Sequence, residues 1–496
     1  MLNYENQLNL GNIYQECAEI FTGQRPEFLN LMEQYLDIDK YISYEFKRAF
    51  YADTGRPRGC SLYGYISALI LQKIFNIPTD TLLILILTFS SDLRHFCGID
   101  KVPDSSKWTR FKQDFCEYLN KMFIYLVDVT EPICEAIDPV LSQMISYDTS
   151  CIESYVTENN PKYANDSIRR LKTYYKVMGI KKSDDDIYKQ AYKSMPISAS
   201  SDSSIRKMYA NGHFCYGRKF GIITNGLGIP RHIDFFDNDF KSKHKDFIFQ
   251  DTDSPDYDKN LADNKSLQPI LTDFYSLHPS FKHNDFLGDA AFDAVDTYEF
   301  LLRKDENGHK LFNRAFIPLN TRAKSDNPEV PIDDDGIPIC PFDHSLKMIS
   351  YGSSHEKNRA DRHKWVCPKT KRIGTKLVCT CDNPCTSSKY GRVIHTFPDK
   401  NHRLYPGTLR GTDEWSKIYK IRVVVEKAIN HIKSNMSVAG RKTRNALTTK
   451  ADVFLAGIAQ LFTVIIADSM SKPQYIRSIK KLACWYLVFN VQIIIY

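Results

Sequence analysis

One change of rhythm, at Met144, limits what this chain can become. Before it, apolar residues recur at three- and four-residue spacing, as in Ser61–Phe75, "SLYGYISALILQKIF", which is the mark of packed helices. From "MISYDTS" onward the pattern turns strand-like, and "YGRKFGIITNGLGIPRHIDFF" holds two β-rich runs around Asn225-Gly226-Leu227-Gly228, a good hairpin turn. Helix-like stretches at Leu261–Tyr275 and Ala294–Arg303 then alternate with short strands at "DFLGD" and "AFIPLN". Three strands followed by alternating helices and strands predict an α/β fold, a mixed sheet with helices on its faces, preceded by an all-helical domain.

With 496 residues the chain exceeds one ordinary core, and two or three domains are expected. The boundaries read as a helical domain over 1–135; a first part of the sheet domain over 136–320, with a polar insertion at about 157–205; a Cys-rich insertion over 321–400; a second part over 401–475; and an apolar tail over 476–496. In the helical domain Thr79 or Asp80, and Asp104 or Ser105, are candidate caps, and Trp108, Phe111, Phe115 and Leu119 share one face. Leu82–Phe89 reads as a buried helix. It and the tail Ala483–Tyr496 are the longest apolar runs, and both are shorter than the roughly 18 residues a membrane helix needs. The polar start, Met1–Asn12, does not read as a signal peptide.

The formal net charge is +7. From Asn401 to Lys450, eleven Lys and Arg stand against three Asp and Glu. So local a basic field suits a polyanion such as DNA, or is simply a solvated face. The "GRPRG" run at Gly55 adds a weak hint of the same kind. Of 13 cysteines, eight are scattered singly, a pattern that fits a reduced cytoplasmic protein better than a secreted disulfide framework.

Asp148 and Asp289 each end a short apolar strand, where functional groups of open α/β sheets collect. Caps of turns or helices are the ordinary alternative. Glu426 lies on a helix, expected over Asp413–Ser434. Tyr419, Arg422, Glu426 and Lys433 are spaced 0, 3, 7 and 14 residues apart, which at about 100° per residue puts them within roughly 60° of arc. A phenol, a guanidinium, a carboxylate and an ammonium thus form one stripe. Converging carboxylates suit divalent cations that activate one oxygen and stabilise another in phosphodiester chemistry.

Tyr419-x2-Arg422-x3-Glu426-x6-Lys433 resembles the Y-R-E-K signature of bacterial insertion-sequence transposases of the DDE type. "FLGDAAFDA" resembles their second-aspartate motif, with Asp293 as a supporting residue and Phe292 where many relatives have Tyr. "ISYDTS" resembles their first. The resemblance implies an RNase H-like catalytic fold and a catalytic triad of Asp148, Asp289 and Glu426 holding Mg²⁺ or Mn²⁺. It also implies DNA contacts from Tyr419, Arg422 and Lys433, and a helical domain that recognises terminal inverted repeats. The expected partners are double-stranded DNA, both element ends and target, and a second copy of the chain; no membrane is expected. The expected place is the bacterial cytoplasm, at the nucleoid when bound to DNA. A nuclease on the same fold, or a catalytically inactive zinc-bearing DNA-binding protein, are the competing readings.

The remaining cysteines cluster in the insertion. Cys340, Cys367, Cys381 and Cys385 could complete a tetrahedral structural zinc site, with Cys379 as a spare and His344, His363 and His395 nearby. Zinc would staple a polar segment expected to lack a core of its own; a loop with free thiols is the alternative.

Overall fold

The computed structural model describes residues 27–51, 58–210, 212–246, 261–320, 331–354, 359–382 and 384–481. Gly55–Pro57 of the basic run, Cys17, Cys484 and the apolar tail beyond residue 481 lie outside the described residues. By contacts the chain divides into two units, Met1–Ile133 with Ile432–Tyr496, and Cys134–His431.

The first unit is helical. Its described helices include Leu62–Ile74, Asp80–Phe89, Ser105–Asp114 and the start of Cys116–Ile137. Ser61, Thr79 and Asp104 cap the first three by accepting backbone N–H bonds, which supplies partners to otherwise orphaned donors. The face predicted around Trp108 is the packed one: Trp108, Phe111, Phe115 and Leu119 are all buried, and Phe111 stacks on Tyr65 at 4.6 Å. Asp80–Phe89 departs from expectation. Leu83 and Leu87 are buried, but Leu82, Leu85 and Phe89 are exposed, because only one i, i+4 stripe meets the core.

The closing helix, Ala446–Ser469, also belongs to this unit, whereas sequence order grouped it with the second half of the sheet domain. It is long and apolar enough to cross a membrane by length and composition, but 94% of its most apolar stretch is buried inside the protein. That makes it a core helix. Its Asp452 and four other charges form a buried cluster. Lys73 Nζ bonds Asp452 at 2.7 Å, Lys112 Nζ bonds Asp80 at 2.8 Å and Asp452 at 3.1 Å, and Arg441 bonds Asp80 at 2.9 Å and Asp452 at 3.2 Å.

The second unit is built on a seven-stranded mixed sheet. Its strands are β1 (Met144–Glu153), β2 (Ser198–Ala199), β3 (Asp202–Ala210), β4 (His213–Asn225), β5 (Pro230–Phe235), β6 (Asp285–Leu287) and β7 (Arg314–Phe316). The order is β2-β3-β4-β1-β6-β7, with β5 beside the second half of β4. β1 runs antiparallel to β4 and parallel to β6, and β7 continues the parallel side. The β4–β5 hairpin turns through Asn225–Gly228, where Gly228 has φ +75°, a conformation that favours glycine.

Alternation along β1 sorts its side chains between two layers. Ile145 and Tyr147 enter a core with Phe274, Phe286, Phe292 and Tyr298, fed by the helices Asp263–Leu277 and Val295–Leu302. Met144 faces the other way, with Leu287 and Phe316, against Trp415, Ile418, Tyr419 and Ile421.

The polar insertion after β1 carries two helices, Pro161–Val177 and Asp184–Ser194. The Cys-rich insertion differs from expectation by having a core of its own. Strands Ile349–Ser354, Arg362–Val366 and Val393–Thr396 form a small antiparallel sheet. Met348, Trp365, Cys367, Ile394 and Tyr405 pack together there, and Trp365 Nε1 donates to Thr396 Oγ1 at 2.8 Å.

Candidate active site

The register of the parallel pair sets two acids side by side. Met144, Ile145 and Ser146 oppose Asp285, Phe286 and Leu287, so Asp148 and Asp289 each lie two residues past the last matched pair. Both have the parity of Met144 and Leu287, so they belong to the layer that holds Tyr419. The third acid arrives on a helix, Val423–Asn430, which packs against β1 and β4.

The expected continuous helix over Asp413–Ser434 is instead broken into an α-helix Asp413–Tyr419, a 3₁₀ turn Lys420–Arg422, the α-helix Val423–Asn430 and a π-helical turn His431–Asn435. The 3₁₀ turn tightens the stripe, because positions three apart eclipse at three residues per turn. Arg422 accordingly lies over the Tyr419 ring, 5.8 Å from its centroid. One turn later its Nη2 donates to Glu426 Oε1 at 2.6 Å. The Tyr419 ring is itself fixed by stacking on Trp415 at 4.6 Å. Lys433 lies in the π turn, beyond the boundary between the two units.

The groups interact as one cluster. Burial pushes the Asp148 carboxyl up to about 6; the Thr149 amide and Arg422 oppose this, while Glu426 and Asp263 add to it. Burial likewise raises the Tyr419 phenol, with Arg422 opposing and Asp289 and Glu426 reinforcing. Asp289 and Glu426 both help hold Arg422 in its charged form against its burial. Asp148 and Glu426 thus lie within electrostatic reach of each other and of Arg422, and Asp289 within reach of Arg422 and Tyr419, but among the described residues the three carboxylates are not all within 4.8 Å of one another. Arg422 Nη1 is buried with no hydrogen-bond partner among the described residues, a donor suited to a phosphate oxygen.

One residue near the site was not visible in the sequence. Asp263, in the first turn of Asp263–Leu277, accepts a hydrogen bond from Thr149 Oγ1 at 2.5 Å and an ion pair from Lys219 at 2.6 Å. Asp293 has a supporting place of a structural kind. It is buried and accepts from Arg403 Nη2 at 2.7 Å, Asn320 N at 2.7 Å and Tyr298 Oη at 3.0 Å. Phe292 packs on Tyr147 at 5.2 Å inside the core, a place where an apolar ring needs no polar partner.

Residues 17–114 match the family model described as "Transposase domain (DUF772)". Over that stretch the chain is similar to a transposase domain. The match covers about a fifth of the chain and ends before β1, so it does not include the acidic cluster. No curated protein matches the chain.

In the Cys-rich insertion, Cys340 and Cys367 are buried while Cys379, Cys381 and Cys385 are partly exposed, all as free thiols. Burial raises the Cys367 thiol, the Lys369 amide hydrogen-bonded to it opposes, and Cys340, Cys385 and Cys379 reinforce the rise. Cys381 is raised by burial and by Cys379, with Cys367 adding. Among the described residues, no three of these thiols have their sulfur atoms within 4.8 Å of one another.

Proposed function

We propose that this protein is a DDE transposase with an RNase H-like catalytic core. It binds the ends of a mobile element and carries out phosphodiester hydrolysis and strand transfer. The observation that carries the reading is the placement of Asp148 and Asp289 two residues past a matched parallel strand pair, with Glu426 on a helix packed against β1 and bonded to an arginine with a spare buried donor. The antiparallel-then-parallel order about β1 and the transposase-domain likeness of residues 17–114 support it from outside the cluster.

The donor set fits a hard divalent cation: oxygen ligands only, with an acid whose ionisation is penalised until positive charge arrives. Asp148, Asp289 and Glu426 would hold Mg²⁺ or Mn²⁺, which when bound supplies Lewis-acid activation of the attacking oxygen and stabilisation of the leaving one. Arg422 donates to the phosphate that is cut, and its stacking over Tyr419 keeps the guanidinium plane fixed. The Tyr419 phenol positions the strand beside the cut, and Lys433 is assigned to DNA on its place in the signature alone. Because two ends must be cut, the working form is a homodimer on DNA. A structural Zn²⁺ on Cys340, Cys367, Cys381 and Cys385 rests on their clustering in the sequence of the insertion alone, since no three of their sulfur atoms lie within 4.8 Å of one another among the described residues.

The test is nicking of a labelled plasmid carrying the DNA that flanks this gene, with Mg²⁺ or with EDTA. Metal-dependent nicks at the element ends, absent from Asp289→Ala, are expected. Joining of those ends to a second plasmid separates a transposase from a nuclease. DNA binding without nicking in either Mg²⁺ or Mn²⁺ would overturn the catalytic assignment.

A further inference from the structure

The far end of β1 holds another set of ligating side chains. Glu153 closes the strand opposite Gly217 of β4. Cross-strand partners face the same way and alternate residues share a face, so Cys215 and His213 of β4 project to the side Glu153 uses. Asp148, five residues before Glu153, projects to the opposite side, so this set is separate from the acidic cluster. A Cβ at Gly217 would collide with Cys151 Sγ and the Ile152 carbonyl. Glycine there lets the strands approach and leaves Glu153 no side chain directly across from it. The Glu153 carboxylate instead reaches along β4 to His213, with Oε1 3.1 Å from Nε2.

The ligand atoms of Glu153, His213 and Cys215 all lie within 4.8 Å of one another. Cys215 is buried, while the Glu153 and His213 side chains are 38% and 46% exposed. We propose that these three residues bind a late first-row divalent cation, Zn²⁺ by preference. A thiolate, an imidazole and a carboxylate match that ion at bond lengths of about 2.0–2.3 Å, and Mg²⁺ would be rejected by the sulfur and nitrogen donors. The set closes from the buried side and opens to solvent, leaving a fourth position for water. The bound ion ties the last residue of β1 to the β3–β4 hairpin.

The experiment uses the full chain with Cys340, Cys367, Cys379, Cys381 and Cys385 all changed to Ser, titrated with Co²⁺. A near-ultraviolet sulfur-to-cobalt band at one equivalent, displaced by Zn²⁺, is expected. Cys215→Ser should remove the band, and Glu153→Gln should weaken Co²⁺ binding at least about tenfold, the smallest loss seen for disturbed metal shells. No band in the five-Ser chain, or a band that survives Cys215→Ser, overturns the proposal. Should the five-Ser chain fail to fold, Cys215→Ser in the native chain is expected to lower bound Zn²⁺ by one equivalent. An unchanged stoichiometry there would reject the site.

Discussion

Asp80 and Asp148 are both largely withdrawn from water, yet they are displaced in opposite directions. Burial would raise Asp80, but Lys112 and Arg441 hold it well below the usual carboxylate range. Burial does raise Asp148, to about 6, with Glu426 and Asp263 adding to the rise against the single nearby guanidinium of Arg422. The difference lies in the company each keeps. Around Asp80 and Asp452 stand Lys73, Lys112 and Arg441, each bonded to a carboxylate at 3.2 Å or less. Around Asp148 the carboxylates outnumber the cations. A buried cluster with its acids matched is complete as protein. One with acids in excess is stable only at a cost until a cation joins it.

This contrast can be broken by exchanging what each cluster lacks. The largest effect is expected at Glu426→Gln, where DNA nicking should fall at least about a hundredfold, since a ligand to the cation is lost outright. The gel assay that reads it should show DNA binding retained. Next comes Asp452→Asn, which leaves Lys73, Lys112 and Arg441 with Asp80 alone. Removing one member of a buried ionic group costs about 3–5 kcal/mol, which thermal unfolding of the helical unit would register.

Asp148→Asn should act in the opposite sense. A carboxyl raised above its ordinary range stabilises the fold at low pH, and that contribution is lost as pH rises through about 6. The amide has nothing to lose, so metal-free Asp148→Asn should exceed the native chain by up to about 3 kcal/mol above pH 7, converging with it below about pH 4. Saturating Mg²⁺ should cancel the advantage. A native chain more stable than the variant in EDTA at pH 8 would contradict the picture of uncompensated acids. The smallest effect is the control: Lys121, whose exposed ammonium meets Glu45 at 3.4 Å and Glu117 at 3.8 Å, should cost less than about 1 kcal/mol when changed to Ala.

The two clusters also differed in how far the sequence betrayed them. Asp148 and Asp289 could be picked out because each ends a short apolar run, and Glu426 because its neighbours fall on one side of a helix. Local pattern marked those as candidates, and the resemblance of their motifs joined them. Asp263 gave no such signal: it is one acid among several before a helix, and its bond to Thr149 spans 114 positions. The helical cluster was hidden more thoroughly. Asp80 looked like a cap, nothing in the sequence singled out Lys73 or Lys112, and Lys73 meets Asp452 across 379 positions. Only the packing of the closing helix joins them. The insertion's core was missed because its strands are four to six residues long, too short for alternation to stand out from a polar background.

The broken helix had a signal only in hindsight. A continuous 3.6-residue period already placed Tyr419, Arg422 and Glu426 on one side, so the stripe survives the 3₁₀ turn that refines it.

The acids of the candidate site are also far apart in the order of synthesis. Asp148 leaves the ribosome early, whereas Glu426 follows roughly 280 residues later, an interval of about 15–55 s at elongation rates of about 5–20 residues per second. A nascent or truncated chain therefore carries the first helices and two of the acids without the third, and without Ala446–Ser469, which belongs to the same unit as those helices. A ribosome stalled over the insertion therefore releases a chain in which neither unit is complete, because the closing helix that fills the helical core is still unmade.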